Sequence, residues 1–340
     1  MEDTTIAVDL AKNVFEVAVS RRPGKVVSRH RLTREKFRKF FANRSQATVL
    51  MEACGSSHYW GREIKRQGHE VILLPPQYVR PYVRRDKTDR ADAKGLLEAY
   101  RNEEIRPVPV KSTDQQTLMM LHRTRSMWVG ARTARINAVR GFLRELGVVI
   151  PQGARRVVPA VHSLLNDADT VVPSVVRPIL ASLAEEITEL EARVKSVEKT
   201  LKQVGKEIPT VAQLQTIPGV GLLTATAMVG MVGDIHRFRS GRHFASYLGL
   251  TPREYSTGGT RRLGKISKRG DAYLRTLLIH GARAVLRWGR RDKAARGLER
   301  QGLAIEKRCG HNRAVVAVAN RMARVVWAVW STDQVYRPRH

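Results

Sequence analysis

Cysteine is nearly absent: Cys54 and Cys309 are the only two in 340 residues. So distant a pair gives neither a disulfide framework nor the close spacing of a zinc site. Cys54, at the end of an apolar strand-like run, reads as a small packed residue rather than a nucleophile. Such cysteine usage fits a reducing cytoplasm. No stretch approaches the ~18 consecutive apolar residues that cross a bilayer, so a membrane partner is not expected. The opening Met1-Glu-Asp-Thr-Thr5 has neither the basic n-region nor the apolar h-region of a signal peptide. Internal repeats and low-complexity tracts are missing as well. Acid is scarce: 31 Asp and Glu stand against 61 Lys and Arg, a formal net charge of +30. A chain of this length, 42% apolar, has enough for two or three domains with real cores. With the membrane set aside, the surplus of positive charge points to nucleic acid.

Against that background the few acids stand out by position. Asp9 closes the apolar run Thr4–Val8, and Glu52 closes Thr48–Met51. Asp89 and Asp92 open a helical pattern in Asp86-Lys-Thr-Asp-Arg-Ala-Asp-Ala93; at i and i+3 they share one helix face. Taken singly, each is a strand-end or helix-start acid placed for solubility and the helix dipole. Brought together, the four repel unless cations lie between them, and Mg²⁺ or Mn²⁺ is the natural occupant of an all-carboxylate set. The expectation is that they converge on one or two such ions.

Residues 1–110 read as an α/β domain. Ile6–Val8 and Val14–Val19 flank a turn, Lys25–Leu32 supplies a third strand, and helices then alternate with the short strands Ala47–Met51 and Val71–Leu74. Thr88 can cap the helix from Asp89 to about Tyr100. Three meandering strands followed by alternating helix and strand is, by fold analogy, the order of a ribonuclease-H-like domain. Residues 111–207 read as a long-helix and coiled-coil region. A helix to about Leu146 carries a basic surface that includes Arg132 and Arg135, candidates for nucleic-acid contact. Residues 151–173 are proline-punctuated and read as irregular. Leu180, Leu183, Ile187, Leu190, Val194, Val197, Leu201 and Val204 then step by three and four, an a/d seam. It suits an intermolecular coiled coil, favoured here as an assembly element, or an antiparallel pairing with the long helix.

Residues 208–340 read as a mainly helical domain. Ile217-Pro-Gly-Val-Gly221 looks like the turn of a helix-hairpin-helix unit, in which Gly219 and Gly221 let backbone N–H groups approach a phosphate. Ser256 lies in a glycine-bearing loop followed by Arg261, Arg262, Lys265, Lys268 and Arg269, cations suited to a phosphodiester. On the residues alone, a Ser-Thr-Gly-Gly loop in a basic region reads first as a phosphate-binding turn and second as the seat of a nucleophile. His243 and His280 are near only in sequence, so no local base is expected.

Several of these stretches carry a resemblance. Asp9 in Val8-Asp-Leu-Ala-Lys12, Glu52 in Met51-Glu-Ala-Cys-Gly-Ser56 and the run Lys87-Thr-Asp-Arg-Ala-Asp-Ala93 resemble the DEDD tetrad of an insertion-sequence transposase group. Ile217-Pro-Gly-Val-Gly221, Gly249-Leu-Thr-Pro-Arg-Glu-Tyr-Ser-Thr-Gly-Gly259 and Ile266-Ser-Lys-Arg-Gly-Asp-Ala-Tyr-Leu-Arg275 resemble its C-terminal transposase domain. The family is the IS-one-ten group, and the likeness is greatest to its eleven-eleven branch. It implies a RuvC-like (Holliday-junction-resolvase-like) first domain whose metal ligands are Asp9, Glu52, Asp89 and Asp92. It also implies a C-terminal domain with a catalytic serine, Ser256, with Thr257 the alternative nucleophile. Further implications are donor and target DNA as partners, guidance by a bridge RNA from the element, and a cytoplasmic protein that is nucleoid-associated when bound to DNA. A homo-oligomer, dimer or tetramer, is expected, with the two domains of a working site drawn from different protomers.

The leading expectation is therefore a site-specific DNA recombinase working through a covalent phosphoserine. The rivals are a metal-dependent, structure-selective nuclease in which water attacks, and a non-enzymatic RNA–DNA scaffold. All three share a steep salt dependence, because each phosphate neutralised by Lys or Arg releases counterions. If six or more phosphates are contacted, affinity for arbitrary duplex DNA should fall about a thousandfold or more from roughly 50 to roughly 200 mM salt. A flat titration would place the binding surface away from the basic one.

Overall fold

The computed structural model describes residues 4–22, 25–83, 89–292 and 294–338. The side chains of Asp89 and Arg90, and the expected cap at Thr88, lie outside the described residues. By internal contacts the chain divides into two compact units, residues 1–113 and 114–340.

The first unit is a mixed sheet with helices on both faces. Its strands are β1 (Thr5–Asp9), β2 (Val14–Arg22), β3 (Lys25–Thr33), β4 (Thr48–Glu52) and β5 (Glu70–Leu74). Its helices are α1 (Arg34–Ala42), α2 (Ser57–Arg66), the single turn α3 (Pro76–Val79) and α4 (Asp89–Tyr100). The sheet order is β3-β2-β1-β4-β5. β2 runs antiparallel to β1 and β3, whereas β4 runs parallel to β1 and β5. Period-two alternation gives the sheet its two faces. Ile6, Val8, Phe15, Val17, Val49 and Met51 bury against Phe37 and Phe41 of α1 and Trp60 and Ile64 of α2. Phe37 anchors that side, its ring centroid 4.5 Å from Phe15 and 4.9 Å from Trp60. Thr33 caps α1 by accepting from the Lys36 amide, as its hydroxyl allows. On the other face Ala7, Ala18 and Leu50 receive Ala93, Leu96, Leu97 and Ala99 of α4; the small Ala residues let the helix approach closely.

The second unit is mostly helical: α5 (Thr113–Glu145), α6 (Val157–Asn166), α7 (Arg177–Lys206), α8 (Pro209–Leu214), α9 (Leu222–Val232), α10 (Gly241–Tyr247), α11 (Ala272–Gly289), α12 (Gly297–Cys309) and α13 (His311–Ser331). Between α10 and α11 the strands β6 (Pro252–Glu254) and β7 (Leu263–Ile266) form an antiparallel hairpin. The segment expected to be irregular contains α6, because Pro159 falls in its first turn, where a missing N–H costs nothing. Val157 and Val161 bury there against Ile136, Val139, Leu180 and Ile187.

Of the two pairings open to the α7 seam, the structure has the antiparallel one within the chain. Ion pairs Arg125–Glu198 (2.7 Å), Arg132–Glu191 (3.5 Å) and Arg135–Glu186 (2.7 Å) run in opposite senses along α5 and α7. The seam's upper end fills a core with α5 and α6. Its lower end, Val197 and Leu201, joins Leu118, Val211, Met228 and the C-terminal helices in another. Residues 111–207 and 208–340 thus share a core, and the seam is occupied without a second copy. Arg132 and Arg135, read as candidates for nucleic-acid contact, meet carboxylates supplied by α7, which the sequence of α5 does not reveal.

One buried polar junction ties α5 to α9 and α11. His122 is fully buried, its Nδ1 3.0 Å from the Tyr273 hydroxyl and its Nε2 2.9 Å from Thr226 Oγ1. Thr226 donates its own proton to the Leu222 carbonyl at 2.7 Å, so it accepts from Nε2–H, and Tyr273 donates to Nδ1. This neutral tautomer is fully satisfied. Burial, with the nearby Arg125 charge, lowers the His122 pKa to about 4.

Two outcomes follow for stability. Between pH 6.5 and about 4 the unfolded chain binds a proton at His122 that the folded chain refuses, so stability is full above the upper value and is lost as pH falls toward the lower. The loss is at most about 3 kcal/mol. His122→Gln keeps a donor and an acceptor without titrating; in urea unfolding across that pH range it should show a shallower slope than the native chain. Ile187→Asp with Leu190→Asp, which forces charge into the α5–α7 seam, should remove several kcal/mol (about 3 or more). An unchanged melting transition would show that the seam is not part of the core.

Candidate active site

The acids are positioned by pairing register. β1 and β4 pair in parallel with Val8 opposite Met51, so the next residue of each, Asp9 and Glu52, leaves the same end of the sheet on neighbouring strands. Asp9 lies two residues beyond Ala7 and Glu52 two beyond Leu50, and both Ala7 and Leu50 face α4. Alternation therefore aims both carboxylates to the α4 side. The direction of α4 completes the placement. Leu97 and Tyr100 in its last turn, with Arg101 just after it, line a cavity with Thr5 and Thr48, the first residues of β1 and β4. Its N-terminal end, with Asp89 and Asp92, therefore lies toward the strand ends that carry Asp9 and Glu52. Asp92 is half-buried and sits one turn before Leu96 on the stripe that meets the sheet.

Electrostatics report the same neighbourhood. The Cys54 thiol is pushed up first by burial and then by the charges of Glu52 and Asp9. The structure also adds an acid that reading the sequence missed: Glu16 stands directly opposite Asp9 in the β1–β2 ladder, its carboxylate 3.9 Å from Arg31. Hairpin register was the signal that could have found it, since Asp9 and Glu16 are equidistant from the turn centre between Lys12 and Asn13. Among the described residues no three His, Cys, Asp or Glu side chains gather tightly enough to hold an ion. The Asp89 side chain lies outside them. As donors, the carboxylates suit a hard divalent cation rather than zinc.

The serine loop is the tip of the β6–β7 hairpin. Thr257 and Thr260 exchange backbone hydrogen bonds of 3.3 and 3.0 Å, and Gly258 and Gly259 between them have φ of 57° and 77°. That is the two-residue turn with both central residues left-handed, which glycine adopts at no steric cost. Ser256 Oγ donates to Glu254 Oε1 at 2.6 Å and accepts from the Arg262 amide at 3.3 Å. Arg261 Nε lies 3.6 Å from the same carboxylate oxygen. The expectation of no local base is thus corrected: Glu254, two residues upstream, faces the same side of the extended arm. The signal was the i, i+2 spacing in Glu254-Tyr-Ser256. Thr257 takes the opposite side by the same alternation. Arg261, Arg262, Lys265, Lys268 and Arg269 are all exposed or half-exposed around this arm, and the hairpin's surroundings are strongly cationic.

The hairpin's base is tied to the helical body. A Cβ on Gly249 would stand 2.1 Å from the Arg269 carbonyl oxygen, and one on Gly270 1.9 Å from that of Tyr247. Backbone packs directly on backbone there. The Ile217–Gly221 turn joins α8 to α9, and its two glycines differ. Gly219 faces α11, where an added Cβ would meet the Gly281 carbonyl oxygen at 2.7 Å, whereas Gly221 is exposed and open at the start of α9. Gly221 is the one accessible to a phosphate. Among the described residues no helix is long and apolar enough to cross a membrane.

Comparison with known proteins agrees with both parts of the chain. Residues 211–296 match the family described as "Transposase IS116/IS110/IS902 family", and residues 6–148 match the DEDD transposase family of IS110. The chain is 43% identical to a "Probable family 20 transposase" of Pseudomonas aeruginosa, over 99% of this chain and all of that protein. It is 38% identical to the "Transposase for insertion sequence element IS1111A" of Coxiella burnetii, over 99% of this chain and 92% of the other. A Yersinia enterocolitica "Transposase for insertion sequence element IS1328" is 34% identical over 98% of both. Acidic strand ends in the first unit and a serine hairpin in the second therefore sit in a chain that belongs to the IS110/IS116/IS902 family of insertion-sequence transposases.

Proposed function

We propose that this transposase cuts and rejoins DNA by transesterification through a covalent phosphoserine at Ser256. The observation that carries the reading is the 2.6 Å hydrogen bond from Ser256 Oγ to Glu254, on an exposed hairpin arm surrounded by cations. A hydroxyl already donating to a carboxylate is poised to lose its proton. In the step, Oγ attacks phosphorus, its proton passes to Glu254, the Oγ–P bond forms, and the bond from phosphorus to a sugar oxygen breaks. The departing oxygen takes a proton from solvent. Attack by another sugar hydroxyl reverses the sequence and releases the serine. One phosphodiester is exchanged for another, so no nucleotide hydrolysis is needed. The Arg262 amide steadies Oγ, and the arginines and lysines of the arm offset charge on the phosphoryl oxygens.

Asp9, Glu52, Asp92 and Asp89 are the residues that would hold Mg²⁺ or Mn²⁺. When bound, such an ion polarises phosphoryl oxygens and acidifies a coordinated hydroxyl or water. The β3-β2-β1-β4-β5 order, with acids leaving the ends of β1 and β4, supports the ribonuclease-H-like, RuvC-like reading of the first unit. The α8–turn–α9 arrangement, with Gly221 open, supports the helix-hairpin-helix reading. Guidance by a bridge RNA rests on the family likeness, and the +30 net charge suits RNA as well as DNA. Strand exchange between two duplexes calls for several active sites, so a homo-oligomer is part of the proposal; the buried α7 seam directs it to another face.

Ser256→Ala should abolish both the protein–DNA adduct in a trapped reaction and recombination, while leaving nucleic-acid binding intact. Thr257→Ala should be much milder, and the reverse ranking would move the nucleophile by one residue. Glu254→Gln should slow adduct formation about a hundredfold or more. Asp9→Asn should stop cutting. If Ser256→Ala still cuts DNA, water is the nucleophile and the chain is a nuclease. If Asp9→Asn keeps full activity, the acids are structural.

A further inference from the structure

The exposed side of α11 carries a feature that the serine hairpin and the acids do not use. Arg283, Arg287, Arg290 and Arg291, with His311 at the start of α13, line a cavity of about 460 Å³. The acid beside it, Glu306, is taken up by Arg290, with an Nε–Oε2 distance of 3.1 Å, and by His311 Nδ1 at 2.7 Å. Arg283, Arg287 and Arg291 have no acidic partner among the described residues. The first turn of the 21-residue helix α13 contains no acid, so its positive dipole end adds to the field. The cavity is built for an anion. At its rim Trp288 is 61% exposed, with the Arg291 guanidinium 5.6 Å from its ring centroid. Leu286, on the opposite side of the helix, is buried, whereas Trp288 belongs to none of the core clusters, so the indole contributes little to the core.

We infer that this surface binds an unpaired strand of nucleic acid, the arginine cavity taking backbone phosphate and Trp288 stacking a base. This rests on the reading of the chain as acting on nucleic acid. Duplex offers phosphates but keeps its base faces covered, whereas a single strand presents both a phosphate and a free π-face within one nucleotide's reach, which is the combination present here. Exchange of strands between duplexes necessarily passes through unpaired bases, and a guide RNA would present them as well; both sources share this chemistry.

The test uses the full chain and fluorescein-labelled oligonucleotides of about 16 nucleotides, as single-stranded DNA, single-stranded RNA and duplex DNA, at salt high enough to suppress non-specific binding. Trp288→Ala should weaken single-strand binding about 5- to 150-fold, the range of one lost base stack, and leave duplex affinity unchanged. Trp288→Phe should recover most of the loss. Arg283→Ala with Arg287→Ala should weaken both forms and lower the salt slope by between about 1 and 2. A larger loss with RNA than DNA, or the converse, identifies the source of the strand and supports the site. Photocrosslinking of an iodouracil-substituted strand should map to the peptide containing Trp288. The inference is overturned if Trp288→Ala binds single strands as the native chain does, if it loses duplex equally, if crosslinks map elsewhere, or if the variant changes oligomeric mass with single-strand affinity intact. If the native chain binds no nucleic acid, the functional reading itself fails; loss of cutting alone leaves this test untouched, because it reads binding.

Discussion

The parallel pairing of β1 with β4 is the constraint on which the first unit depends. It fixes Val8 against Met51, and in doing so sets two carboxylates on neighbouring interior strands at one end of the sheet. A slip of one residue in either strand would turn its acid to the aromatic face of Phe37 and Trp60, where an unpaired charge is costly. The apolar alternation that holds the register therefore also selects where the acids point. α4 is bound by the same constraint, since its alanines need the small Ala7 and Ala18 beneath them to lie close.

The strands and most helices of the first unit were legible in the sequence, because short apolar runs bounded by turn residues have few alternatives. The strand-end acids were legible for the same reason. What was not legible depended on partners distant in sequence. Arg132 and Arg135 looked uncompensated because Glu191 and Glu186 lie on another helix. Glu16 looked like an ordinary polar strand residue until the hairpin register set it opposite Asp9. Glu254 is not evident as a base because no histidine adjoins Ser256, although a carboxylate two residues away on an extended arm is as near as any. The a/d pattern of α7 marks a seam, but the favoured intermolecular covering is replaced by α5 and α6 of the same chain, since an antiparallel partner within the chain satisfies the pattern as well as a second copy does.

Positive charge is consequently less evenly available than its total suggests. Along α5, Arg125, Arg132 and Arg135 are paired with carboxylates of α7, and Arg140 is held by the carbonyls of Pro151 and Gly153. The charge stays open on the hairpin arm and on α11. These regions differ in chemistry: the arm pairs its cations with a hydroxyl and a carboxylate, as a reacting site needs, whereas α11 pairs them with an aromatic ring, as a binding site needs. Both belong to the second unit, whose mainly apolar interior leaves its polar surface free to specialise.

The backbone contacts at Gly249 and Gly270 separate what can vary in the hairpin from what cannot. Because the crossing is backbone on backbone, braced by Arg275 of α11 donating to the Leu248 and Arg269 carbonyls at 3.2 and 3.4 Å, the aim of the arm is set by the helical body. Arm residues outside the Glu254–Ser256 pair can therefore be replaced without re-aiming the arm, so long as both glycines remain. The hairpin is in effect a tool in a fixed holder: the holder decides where Ser256 and Glu254 are presented, and changes elsewhere on the arm leave that presentation alone.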